Sequence, residues 1–126
     1  MALSYHFTAG TATPAATLVA GGAGSTFYGL AATNGEAAAI FLKLYWEGTG
    51  TAAPSVGGVQ PATTLPTAGT TIPQLTIPVP VGGLFNLSFD PVNLGGRIWY
   101  WVTKNAADTD ATALTTGGDV FSLIYG

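Results

Sequence analysis

The chain has 126 residues, no cysteine, and 3 Lys plus Arg against 6 Asp plus Glu, so its net charge is 3 − 6 = −3. This is the length of one domain, and its 7% of charged residues lies far below the roughly 25% of an ordinary soluble domain. With Lys43, Arg97 and Lys104 as its only Lys and Arg residues, the chain lacks the clustered charge that gripping nucleic-acid phosphates requires. Disulfide frameworks and thiolate metal sites are excluded as well.

Leu3, Tyr5 and Phe7 alternate with Ser4, His6 and Thr8, the period-two pattern of a strand. No basic region and apolar run of a secretion signal precedes it. Thr17 to Ala20 reads as a second short strand, stopped by Gly21-Gly22-Ala23-Gly24. Ser25 to Thr33 reads as a third, and Asn34-Gly35 after it is the dipeptide of a type I′ hairpin turn. Glu36 to Glu47 has two readings. Glu36, Lys43 and Glu47 share a helical face and three alanines favour helix, whereas Ile40, Leu42, Leu44 and Trp46 alternate with Phe41, Lys43 and Tyr45. The hairpin signal decides for a strand.

Gly48 to Thr71 is Gly-, Ala-, Thr- and Pro-rich and reads as a long loop; structureless loops beyond ~15 residues are usually functional or disordered. Pro and Gly also break the uncharged tract from Pro54 to Phe89, which therefore cannot form a transmembrane helix. Gln74 to Val81 alternates again, and Pro78 and Pro80 share a parity. Their missing N–H groups spoil one ladder, which places this segment at a sheet edge. After Gly82-Gly83, Leu84 to Phe89 reads as a strand and Asp90 to Gly96 as a turn. Arg97 to Thr103 and Asp119 to Tyr125 are strands, with a polar link that carries a short strand near Ala113. Both flanking strands are apolar on two faces, so one face packs inside and the other requires a cover, a partner or a ligand. The sum is about eight short strands in a single domain over residues 1–126. It is an all-β, antiparallel β-sandwich of jelly-roll type with a long loop at 48–71.

No residue set specifies catalysis. His6 is the only histidine, and nothing resembles a nucleophile elbow. Asp108-Thr109-Asp110 begins like a calcium loop but lacks the glycine and glutamate that complete one. Glu36 and Glu47 lie at opposite ends of one expected strand, too far apart for a carboxylate pair. The glycine pairs are turn punctuation without the following lysine and helix of a phosphate loop. Trp46, Trp99, Trp101, Tyr28, Tyr45 and Tyr100 fit a core or an oligomer interface, and less well a sugar-stacking surface.

One family shows this order of features. Thr17-Leu18-Val19 with a Gly-rich turn is followed by the Asn-Gly pair, Leu42-Lys43-Leu44-Tyr45 and Ile77-Pro78-Val79-Pro80. The run Thr103-Lys104-Asn105-Ala106-Ala107-Asp108-Thr109-Asp110-Ala111-Thr112-Ala113 and then Asp119-Val120 complete it. Over residues 15–126 the pattern and composition resemble the small β-sandwich virion proteins of tailed bacteriophages, which include capsid decoration (cement) proteins. The resemblance implies a non-enzymatic structural protein without cofactors. It also implies manufacture in a host cytoplasm, placement on the capsid surface, and the major capsid protein as partner. A homo-oligomer is expected, a trimer for preference, with neither nucleic acid nor membrane as partner. The expected interface draws on Trp99, Trp101, Phe121, Leu123 and Tyr125. Pro54, Pro61 and Pro66 are expected to stiffen a loop that orders on binding. Carbohydrate-binding modules and tail or head-fibre components are the alternatives; a β-sandwich hydrolase lacks its acid–base set.

Overall fold

The period-two segments become eight strands in a computed structural model that describes residues 3–20, 26–47, 66–93 and 97–126. They are β1 (Leu3–Ala9), β2 (Thr17–Ala20), β3 (Thr26–Asn34), β4 (Ile40–Glu47), β5 (Leu75–Val79), β6 (Gly82–Asn93), β7 (Arg97–Thr103) and β8 (Asp119–Tyr125). One sheet has the order β1-β8-β3-β6 and the other β2-β7-β4-β5, with every pairing antiparallel. Strand 1 pairs with 8, 2 with 7, 3 with 6 and 4 with 5. The chain is thus one long hairpin, doubled back between β4 and β5 and rolled so that successive pairs fall in alternate sheets. That is the jelly roll, an all-β sandwich of two Greek keys.

The core lies between the sheets. Phe27, Leu30, Ala32, Phe121, Leu123 and Tyr125 face Ile40, Leu42, Leu44, Trp46, Ile98 and Val102. Phe7 stacks on Phe121 at 4.9 Å within its own sheet and on Tyr100 of the opposite sheet at 4.0 Å, so the rings span the sandwich. At Gly29, φ is +156°, and a Cβ there would lie 2.1 Å from the Leu87 carbonyl oxygen. Only glycine lets β3 pass β6 this closely, where the register shifts between Phe27 and Gly29.

Several expectations need correction. Asn34-Gly35 is no hairpin turn, because β3 and β4 belong to different sheets, and Gly35 is not among the glycines at positive φ. The Asn34 side chain instead builds the crossing. Its Oδ1 accepts the Glu36 N–H at 2.8 Å, and its Nδ2 donates to the carbonyls of Ala38 and Val79. The strand expected from Glu36 therefore begins at Ile40. Strand β6 runs through residues 90–93 of the turn expected at Asp90 to Gly96, the rest of which lies outside the described residues; Pro91 is tolerated because β6 is an edge strand. No strand forms near Ala113, where Leu114 instead plugs into the core. Strand β5, with Pro78, lies at a sheet edge as that proline requires.

The second apolar face of β7 is covered by the chain itself. Trp101 and Thr103 point away from the core yet are buried, as are Lys43 and Tyr45 on neighbouring β4. Residues 105–110 lie over Lys43. The turn at 67–71 rests on this cover so closely that a Cβ on Gly69 would meet the Ala111 Cβ at 2.9 Å.

Candidate functional site

Antiparallel rolling gathers four connections at one end of the sandwich: residues 10–16, 35–39, 80–81 and 104–118. Among the described residues, the buried charges lie at this end or are held by its connections. Glu36 reaches residues 79 to 81 positions away in sequence. Its Oε1 accepts the N–H groups of Thr115 and Thr116 at 2.7 and 2.8 Å, and its Oε2 accepts that of Gly117 at 3.0 Å. Burial alone would raise its pKa. The N–H groups of Thr116, Thr115 and Gly117, together with Asp119, outweigh burial and hold the carboxylate below its usual value.

Asp119 opens β8 at the same place. Its Oδ1 accepts the Gly35 N–H at 2.7 Å, while Oδ2 is buried without a hydrogen-bond partner. Burial, and then adjacent Glu36, push its pKa up against the pull of the Gly35 N–H. Within the pair, Asp119 takes up a proton before Glu36 as pH falls. The Gly118 N–H donates to the Ala9 carbonyl at 2.9 Å and brings the first connection into the same clasp.

Lys43, with 0% of its surface exposed, is buried as well. Its ammonium donates to the carbonyls of Ala107 and Asp110. Burial lowers its pKa, while Asp110 and then Asp108 draw it back up. The segment that begins like a calcium loop in sequence is thus wrapped around a side-chain ammonium. Asp110 turns inward on its own loop, accepting from Asn105 and from the Thr112 N–H and hydroxyl.

Two cavities open here. One of about 200 Å³ lies where β2 stops short along β7, lined by Phe7, Thr13, Pro14, Thr17, Tyr100 and Trp101 among others. Burial, and then the Tyr5 hydroxyl, raise the Tyr100 pKa. The other, about 250 Å³, lies between Ala37–Ile40 and Lys104, whose ammonium donates to the Thr115 hydroxyl at 3.1 Å. His6 is outside this end. It shares a 3.1 Å hydrogen bond with Ser122 on an exposed sheet face.

The expected interface residues are dispersed. Trp101, Phe121, Leu123 and Tyr125 are buried within this chain, Trp99 is half-buried and Pro66 is buried. Pro54, Pro61 and the 48–65 part of the long loop lie outside the described residues. The pairing of Glu36 with Asp119 escaped the sequence reading because it depends on the rolled strand order. Lys43 carried a signal of its own, as the one charge inside the run from Ile40 to Trp46.

The chain matches no family model, and comparison with curated proteins and with solved structures finds nothing similar to it.

Proposed function

We propose that this chain is a non-enzymatic virion structural protein, a capsid decoration (cement) protein that binds and stabilises a shell of major capsid protein. One observation carries the reading. The buried charges at the loop-bearing end are engaged in holding backbone: Glu36 holds 115–117, Asp119 holds Gly35, and Lys43 holds 107–110. Such bonds suit a rigid scaffold that meets a partner through its shape. The outer face of the first sheet is consistent with this role. Ser4, His6 and Thr8 of β1 lie beside Val120, Ser122 and Ile124 of β8, a run of side chains with no Lys, Arg, Asp or Glu. The resemblance to tailed-phage virion proteins supplies the particle and its capsid surface.

Antibody labelling of intact particles, read by electron microscopy, tests the proposal. Label over the whole outer shell, together with loss of heat resistance in particles lacking the protein, is the expected result. Label confined to a tail or fibre moves the assignment to those parts, and particles without label overturn it.

Carbohydrate binding is the second reading. The 200 Å³ cavity favours it, because the lining holds the hydroxyls of Thr13, Thr17 and Tyr100 and no charged side chain. Glycan-array binding that is lost on Thr13→Val or Tyr100→Phe supports it, and an array without signal removes it.

A further inference from the structure

Among the described residues the sandwich has four edge strands, and they are not equally protected. Strand β2 has 4 residues, and β5 has 5 with a proline among them. Strand β1 has 7 residues, and Phe7 and Tyr5 tie it to Tyr100 of the opposite sheet. Strand β6 has 12. Short length, proline and charge are the usual devices that stop an edge from pairing with another chain. From Gly82 to Phe89, β6 contains no charge and no proline; Asp90-Pro91 is its first guard. Along this run the register with β3 is regular from Phe85 to Ser88.

The side chains on this edge are also incompletely covered. Leu84 is 72% exposed, and Val81, just before the strand, is 55% exposed. Phe85 and Leu87 pack against the core but remain half-buried. One more strand beyond β6 would flank Phe85 and Leu87 on the inner face and lie beside Leu84 on the outer one.

We propose that the chain forms a two-fold homodimer by antiparallel pairing of β6 with β6 of a second copy, centred on Asn86. The open run from 83 to 89 has Asn86 at its midpoint, so a two-fold axis there uses all of it. Paired numbers then sum to 172: Phe85 lies against Leu87 of the second copy, and Leu84 against its Ser88. The inner-face pair extends the apolar core across the axis. Asp90 falls opposite Gly82, so no like charges meet. This self-complementarity favours a second copy over a foreign strand, and the contact is isologous and closed. It requires no particle, so it stands independently of the capsid assignment, and it replaces the trimer expected from the resemblance.

The absence of cysteine permits a direct test. Paired residues across antiparallel strands lie within disulfide range. Oxidised Asn86→Cys is expected to run at twice the 12.7 kDa chain mass, whereas Ser4→Cys on the β1 edge stays monomeric. Asn86→Lys places two ammonium groups on the axis and weakens the dimer by about tenfold or more, partly recovered in high salt. Its fold is checked by circular dichroism. A wild-type chain that is monomeric by light scattering across the micromolar range overturns the proposal, as does a three-chain mass. Cross-linking through Ser4→Cys in preference to Asn86→Cys also overturns it.

Discussion

Glu36 and Asp119 meet at the loop-bearing end with opposite perturbations: the glutamate's pKa is lowered and the aspartate's raised. A group whose folded pKa is lowered adds stability above its unfolded value, and that stability is lost as pH falls through the folded value. A group whose folded pKa is raised adds stability below its unfolded value, and that stability is lost as pH rises through the folded one. The clasp is therefore strongest near the unfolded carboxylate values, at roughly pH 4, and weakens as pH falls through the lowered Glu36 value or rises through the raised Asp119 value. Thermal midpoints measured against pH should show this maximum. Asp119→Asn keeps an acceptor for Gly35 and should flatten the fall on the alkaline side. An unchanged alkaline limb would show that Asp119 does not titrate with folding.

Glu36→Gln tests the other half of the pair. The amide retains one acceptor oxygen for three N–H donors and brings donors of its own towards Thr115–Gly117. A loss of about 1–3 kcal/mol is expected from the donors left unmatched. Urea denaturation should show it as a lower midpoint with an unchanged slope.

Lys43 is held by two carbonyls, and its removal should act locally. Lys43→Met preserves most of the stem's packing but leaves Ala107 and Asp110 without their donor. The expected cost is roughly 1–3 kcal/mol. Amide exchange should quicken across 105–112 and scarcely change in β3 and β8. Uniform acceleration throughout the chain would contradict a local role.

Gly29→Ala should be the most damaging small substitution. Its Cβ would overlap the Leu87 carbonyl oxygen at 2.1 Å, so β3 and β6 must separate. About 3 kcal/mol is expected, from overpacking and an unfavourable φ together. A calorimetric midpoint within a degree or two of wild type would refute the close approach.

The strands were legible because period-two alternation is local. Leu3 to Phe7, Ile40 to Trp46 and Val120 to Tyr125 declare themselves without knowledge of their partners. The prolines marked β5 as an edge for the same reason, since the lost N–H belongs to the residue itself. What misled was Asn34-Gly35. A hairpin dipeptide and an Asn side chain that spans a sheet crossing look alike in sequence, and only the partner carbonyl of Val79, 45 residues away, separates them. The cover over Trp101 and the Glu36–Asp119 clasp were hidden similarly, each depending on segments brought together by the rolled topology. At Trp101 the apolar second face of β7 is a buried layer beneath the chain's own loops.

Trp101 offers the last test. It is 1% exposed, lies across from Lys43, and keeps its indole N–H buried without a partner. An unmatched buried donor costs about 1–3 kcal/mol, which Trp101→Phe removes along with part of the ring. Those effects oppose one another, so Trp101→Phe should fall within about 1 kcal/mol of wild type, while Trp101→Ala should lose about 3–5 kcal/mol through the cavity it leaves. Urea denaturation followed by circular dichroism distinguishes them. If Trp101→Phe is as costly as Trp101→Ala, the indole N–H is matched in solution and the site is not a strained one.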